Sequence, residues 1–258
     1  MKLAWATDLH LDECGDSDAV RQAFLRSLRD VEADALLIAG DTGIGSTIFN
    51  RLQEIQLNAP RHRNAWRTIP VYFVLGNHDY YDMWIEQQHR LARQLVYPRW
   101  LGAGGSIELD GMSLVGVDGW GDFSYGNRAT QSKILDCARV YDFKYGGNEP
   151  YARSKAAAVD AQTLRRALES CQASTIVVLT HVPPFPDGKE DWELAPYYVC
   201  KATGDVIWAY ARQHPDRQLV VLCGHSHRAR DEKFLPNLRI ITGAATYGVP
   251  ALQPILEL

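Results

Sequence analysis

The stretch LVVLCGHSHR (residues 219–228) is an apolar run that stops at two histidines one residue apart. Leu219 to Cys223 has the length and β-branched content of a fully buried strand, and Gly224 marks its end. His225 and His227 follow at once, just beyond the strand. In extended geometry residues i and i+2 point the same way, so the two imidazoles face one space. They are either two solvated loop histidines or ligands of a shared cation, and the pair alone does not choose between these.

The rest of the chain repeats the arrangement. KLAWAT (2–7) runs into Asp8 and His10, ALLIAG (35–40) into Asp41, and VYFVLG (71–76) into Asn77, His78 and Asp79. TIVVLT (175–180) runs into His181. Each piece has an ordinary reading by itself. DLH reads as a turn, GD as a helix cap, His181 as a hydrogen-bonded loop residue and GNHD as a type I turn with an Asx cap. Their recurrence at the C-terminal ends of five strands is harder to dismiss, because that edge of an α/β sheet is where ligand crevices form. His62, His89 and His214 lie outside the pattern and read as surface residues.

The donor set has a chemical signature. Carboxylate and carboxamide oxygens together with several imidazole nitrogens suit Mn, Fe or Zn. They suit Mg or Ca poorly, since those ions prefer all-oxygen shells.

Between the strands the pattern alternates with helices. An amphipathic helix is expected over SDAVRQAFLRSLRD, with Ser17 or Asp16 near its cap. Others are expected near Ile48–Leu57, Tyr81–Leu95, Tyr151–Cys171 and Asp205–Gln213. Strands alternating with helices predict βαβ units and a largely parallel sheet. SIELDGMSLVGVDG adds a hairpin at Asp110-Gly111, and the last 21 residues read as two further strands around a glycine turn. Two irregular, aromatic-rich segments, 119–150 and 185–203, have the character of surface excursions or lids. Trp120, Tyr125, Trp192, Tyr197 and Tyr198 within them could stack on a base or simply pack the loops down. No linker divides the chain, so residues 1–258 are expected to form one domain.

Composition narrows the function classes. Across 258 residues the hydrophobic fraction is 46% and the charged fraction 22%, ordinary values for a globular protein. A net charge of −4 argues against a broad nucleic-acid face, which would be basic. Cys14, Cys137, Cys171, Cys200 and Cys223 are scattered and odd in number, which reads as reduced thiols. Asp8 interrupts the first apolar run too early for a signal peptide. No stretch approaches the roughly 18 apolar residues of a membrane span. A cytoplasmic protein with no membrane partner is the expectation.

Taken in order, Asp8-x-His10, Gly40-Asp41, Gly76-Asn77-His78-Asp79, His181 and Gly224-His225-x-His227 resemble the calcineurin-like metallophosphoesterases. The resemblance spans positions 8 to 227, and GNHD with GHSH at this spacing is its specific part. It implies an α/β fold, a four-layer αββα sandwich with two mixed β-sheets face to face. It implies two divalent metal ions (Mn, Fe or Zn), with Asp8, His10, Asp41 and His227 on one and Asp41, Asn77, His181 and His225 on the other. It also implies in-line attack of a metal-bridging hydroxide on a phosphate ester, with His78 protonating the leaving oxygen. Protein Ser/Thr phosphatases of the family continue GD into GDxxDRG, whose second Asp orients the catalytic His. Here the run is GDTGIG, with Ile44 and Gly45 at those places. That argues against a protein phosphatase and leaves Asp79 or a backbone carbonyl to orient His78.

The substrate expected is a small phosphodiester or phosphomonoester, a nucleotide included. The alternative enzyme is a DNA nuclease, for which HRAR (227–230) and RHR (61–63) are the only basic clusters. A non-catalytic protein-interaction scaffold is the alternative of another class. It need not keep its ligands, whereas all seven positions and His78 are present.

Overall fold

The computed structural model describes residues 1–14, 18–61, 68–127, 134–189 and 191–258. The five apolar runs become strands β1 (Lys2–Ala6), β2 (Ala35–Ala39), β3 (Val71–Val74), β7 (Thr175–Leu179) and β8 (Gln218–Cys223). Two short strands, β4 (Arg99–Trp100) and β5 (Ile107–Leu109), and β6 (Met112–Gly116) fall between them in sequence. The chain ends with β9 (Arg230–Leu235), β10 (Leu238–Thr242) and β11 (Leu256–Glu257).

The strands form two mixed sheets. The first has the order β11-β1-β2-β3-β4 and the second β5-β6-β7-β8-β10-β9. The interior strands of each are parallel, and β11, β5 and β9 join antiparallel at edges. Parallel strands covered on both faces are apolar throughout, which is why the five runs carry no polar alternation.

Successive side chains divide between two cores. In β2 and β3, Leu36, Ile38, Val71 and Phe73 face the helices α1 (Ala19–Ser27), α2 (Ile48–Asn58) and α3 (Ile85–Ala92), meeting Phe24, Leu25, Ile48, Leu52 and Ile55. Leu3, Trp5, Leu37, Tyr72 and Val74 face the other way, onto Met112, Leu114, Val177, Leu179 and Leu222 of the second sheet. Each fully buried Leu or Val there contributes roughly 1.5–3 kcal/mol relative to exposure, so this layer binds the sheets together. The second sheet buries its outer face under α6 (Glu149–Ser170) and α8 (Lys201–Gln213) through Leu164, Leu168, Val206 and Ile207. Short helices α4 (Asp136–Arg139), α5 (Tyr141–Tyr145) and α7 (Ala195–Tyr198) complete the set among the described residues. The layers are therefore α, β, β and α, as expected.

Several details differ from expectation. The two C-terminal strands are present but do not pair with each other: β10 lies in the second sheet and β11 crosses back to pair with β1. Segment 119–150 holds α4, α5 and the start of α6, and 185–203 holds α7 and the start of α8. Trp120 is only 2% exposed, packed on Tyr80, Phe143 and the Arg153 guanidinium, while Trp192 is 67% exposed. Trp120 is therefore a packing residue and not a substrate-facing aromatic. His89 is not a surface residue, because α3 turns it inward to Tyr80 Oη (2.8 Å) and Asp118 Oδ2 (3.2 Å). His214 is half-buried against the Tyr210 ring at 4.3 Å. Asp16, Ser17, His62 and Arg63 lie outside the described residues.

Candidate metal centre

The C-terminal ends of β1, β2, β3, β7 and β8 converge, and the chain turns sharply at them. Asp8, His10, Asp41, His225 and His227 have φ of 51°, 42°, 49°, 65° and 55°, the left-handed region that costs an L-residue energy and that clusters at functional sites. Two glycines let the turns interlock. A Cβ on Gly76 would lie 2.1 Å from Asp41 Oδ1, and one on Gly224 would lie 1.8 Å from Thr7 Oγ1 and 2.2 Å from Asp8 Oδ2. The Gly in GNHD and GHSH is therefore required by the close approach of a carboxylate.

All eight residues singled out from the sequence reach this edge. Asp8, His10 and His227 form one cluster and Asp41, His181 and His225 another, each with donor atoms within 4.8 Å of one another. Asp41 Oδ2 lies between them, 3.8 Å from His10 Nε2 and 3.4 Å from His181 Nε2. His10 Nε2 and His227 Nε2 approach to 3.3 Å, and His227 Nε2 lies 3.2 Å from Asp8 Oδ1. Asn77 Oδ1 is 3.0 Å from His181 Nε2. His78 joins Asp41 and His10 in a third cluster, and its backbone N–H donates to Asp41 Oδ1 at 2.9 Å.

The far nitrogens fix which atom of each ring faces inward. His181 Nδ1 donates to the Ala39 carbonyl (2.9 Å), so Nε2 faces the cluster. His225 Nε2 donates to the Tyr197 carbonyl (3.1 Å), so Nδ1 does. Such outer hydrogen bonds orient metal-ligating imidazoles.

The electrostatics suit cation binding. Burial pushes His10 down to about 4, and burial with the neighbouring His181 charge does the same to His225. Neutral imidazole is the ligating form. Burial alone would raise Asp41, but the His181 and His78 charges outweigh it and hold the carboxylate well below its ordinary range. Burial likewise opposes charge on His181, yet Asp41 and Asp8 lift it to about 10. The proton on His181 stands where a cation would serve the same carboxylates. The neutral rings of His10 and His225, the ionised Asp8 and Asp41 and an all-N/O donor set fit divalent metal ions.

The calcineurin-like phosphoesterase profile matches residues 1–229. The chain belongs to the calcineurin-like phosphoesterase family. It is a metal-dependent phosphoesterase, and membership implies divalent metal ions and a small phosphate-ester substrate. This phosphoesterase is similar in structure to a phosphopantetheinyl hydrolase (PptH) from Mycobacterium tuberculosis, with TM-score 0.63, 16% identity, and coverage of 96% of this chain and 90% of that one. It also resembles a dimetal phosphatase from Danio rerio, with TM-score 0.52, 12% identity, and 97% and 88% covered. At these identities the likeness is one of fold. Among curated proteins none matches the chain. No helix among the described residues is long and apolar enough to cross a membrane.

The phosphoesterase site also uses residues that strand-end motifs did not disclose. Asp136 accepts from Asn77 Nδ2 (2.9 Å), which turns Asn77 Oδ1 toward His181, and it pairs with the buried Arg153 at 2.8 Å. No periodicity marks Asp136, which follows an irregular stretch. Asp118 did carry the signal, an Asp at a strand end in GVDG. It anchors the end of β3 by accepting from Leu75 N (2.7 Å) and Tyr80 Oη (2.6 Å). Three tyrosines flank the histidines: Tyr81 stacks on His78 at 4.5 Å, Tyr198 tilts over His225 at 4.6 Å, and Tyr247 lies 4.4 Å from His10. Asp79 does not orient His78. Its carboxylate accepts from the backbone N–H groups of Thr42 (2.9 Å), Gly43 (3.0 Å) and Gly76 (2.8 Å).

Proposed function

We propose that this phosphoesterase is a dinuclear hydrolase of small phosphomonoesters or phosphodiesters, working in the cytoplasm with Mn, Fe or Zn. Asp8, His10, Asp41 and His227 would hold one ion and Asp41, Asn77, His181 and His225 the other. The observation that carries this is Asp41 Oδ2, set between His10 Nε2 and His181 Nε2 of two adjoining clusters. When bound, such a pair supplies Lewis acidity at phosphorus and a nucleophile at neutral pH. His78, at the edge of the Asp41 cluster, gives a proton to the leaving oxygen. Tyr198 and Tyr247, which are not buried, form the rim against which the ester's organic group rests.

Preference for a small ester over nucleic acid is supported by the fate of the basic run at 227–230. Arg228 pairs with Asp187 at 3.2 Å, and Arg230 pairs with Glu232 at 2.6 Å while donating to the Phe185 and Pro186 carbonyls. These guanidiniums are committed within the chain. The shared layer between the sheets supports reading residues 1–258 as one metallophosphoesterase domain.

Elemental analysis and turnover test the proposal together. Asp41→Asn should lower the content of both ions, and His78→Ala should retain both while losing about 10²–10⁴-fold in turnover. That loss should shrink on p-nitrophenyl esters, whose leaving group needs little protonation. Unchanged metal content in Asp41→Asn would overturn the bridging assignment. The substrate panel should include alkyl monoesters, cyclic nucleotides, single-stranded DNA and a phosphopantetheinyl ester, the class named for the Mycobacterium tuberculosis protein.

A further inference from the structure

His78 lacks one thing that a proton-donating imidazole needs. Its ring plane is fixed, with Tyr81 stacked at 4.5 Å and 28° on one side and His10 edge-on at 4.6 Å and 69°. Tyr81 is itself anchored, donating from Oη to Asp136 at 2.9 Å. Yet His78 Nδ1 is buried with no hydrogen-bond partner among the described residues. Stacking fixes a plane but not which nitrogen carries the proton; an acceptor at the far nitrogen does that. Asp79 is engaged by three backbone N–H groups and is not free to serve.

The carboxylate that is in reach comes from elsewhere in the chain. Glu13 Oε1 stands 3.5 Å from His78 Nδ1, within ion-pair range. Glu13 follows β1 in the turn that carries Asp8 and His10, and its backbone N–H donates to the His10 carbonyl at 2.8 Å. Its position is thus tied to the metal-side turn. Its side chain is one-third exposed, so replacing it disturbs no core packing.

The geometry points to Glu13 as the positioning residue for His78: its carboxylate accepts from Nδ1–H and leaves Nε2 to transfer the proton. Glu13 touches no reacting atom and acts only through His78. This rests on the reading of His78 as the acid, so the test separates the two.

The experiment is a double-mutant cycle of Glu13→Ala and His78→Ala on the metal-loaded enzyme, with an alkyl phosphate and a p-nitrophenyl phosphate as paired substrates. Glu13→Ala should lower kcat on the alkyl ester by about 10–100-fold, the range for loss of an outer partner of a functional imidazole. KM and metal content should hold, and the p-nitrophenyl ester should be much less affected. In the His78→Ala background the Glu13 substitution should cost nothing more, because residues that act as one unit are not additive. Glu13→Gln, which keeps an acceptor oxygen, should recover part of the loss. Equal losses on both esters, or a full Glu13 effect without His78, would overturn the assignment. If His78→Ala itself shows no leaving-group dependence, it is the acid role of His78 that fails.

Discussion

At His227 the backbone φ is 55°, where a Cβ crowds the following carbonyl at a cost of roughly 1–2 kcal/mol. Glycine escapes that cost. Both substitutions remove the same imidazole, so the loss of its contacts with His10 and Tyr247 cancels in the comparison. His227→Gly should therefore be more stable than His227→Ala by about 1 kcal/mol, reversing the usual order in which alanine is the gentler change. Thermal or urea melts of the two variants measure this. Alanine melting higher would mean that contacts of its Cβ outweigh the strain. The same argument applies to Asp8, His10, Asp41 and His225, whose φ values are also positive. The site thus holds its donors in a backbone that other residues would leave.

Between elements, a buried acidic pair joins α6 to the end of β6. Asp160 on α6 accepts from Gly119 N at 2.9 Å, and burial together with the Asp118 charge pushes it up to about 7. An unfolded aspartate titrates near 3.9, so folding binds a proton in the interval. The stability linked to neutral Asp160 is complete below the unfolded value and is lost as pH rises through about 7. Asp160→Asn keeps the acceptor for Gly119 and removes the charge. Its melting temperature should exceed that of the unmodified protein, by a margin that widens from pH 5 to pH 8. A margin independent of pH would show that Asp160 titrates alike in both states. The sequence disclosed some elements and not others for a physical reason. β1, β2, β3, β7 and β8 are buried on both faces and must be apolar, so they stand out. β9 reads RDEKFL and lies at a sheet edge with half of its residues exposed and none buried, where no apolar pattern is needed. The candidate donors were legible because they sit at strand ends. Asp136 and Glu13 meet Asn77 and His78 only through the folded path of the chain, which no spacing encodes.

For the whole molecule, Asp8, His10, Asp41 and Asn77 follow strands of the first sheet, and His181, His225 and His227 follow strands of the second. A cation held between them would tie the two sheets. Adding Mn should raise the melting temperature and a chelator should lower it, with about 2.7 kcal/mol gained at free metal one hundred times its Kd. Asp41→Asn should blunt the response. A melt indifferent to both additions would mean that the ions do not bridge the sheets. The shared interior has another consequence, for a chain still being made. β1, β2 and β3 leave the ribosome long before β7 and β8, and domains tend to fold as they emerge. Until the second sheet arrives, Leu3, Leu37, Tyr72 and Val74 have no partner layer, and Asp8 and Asp41 lack His181, His225 and His227. A nascent chain paused after β4 thus exposes one apolar sheet face and carries four of the seven candidate donors.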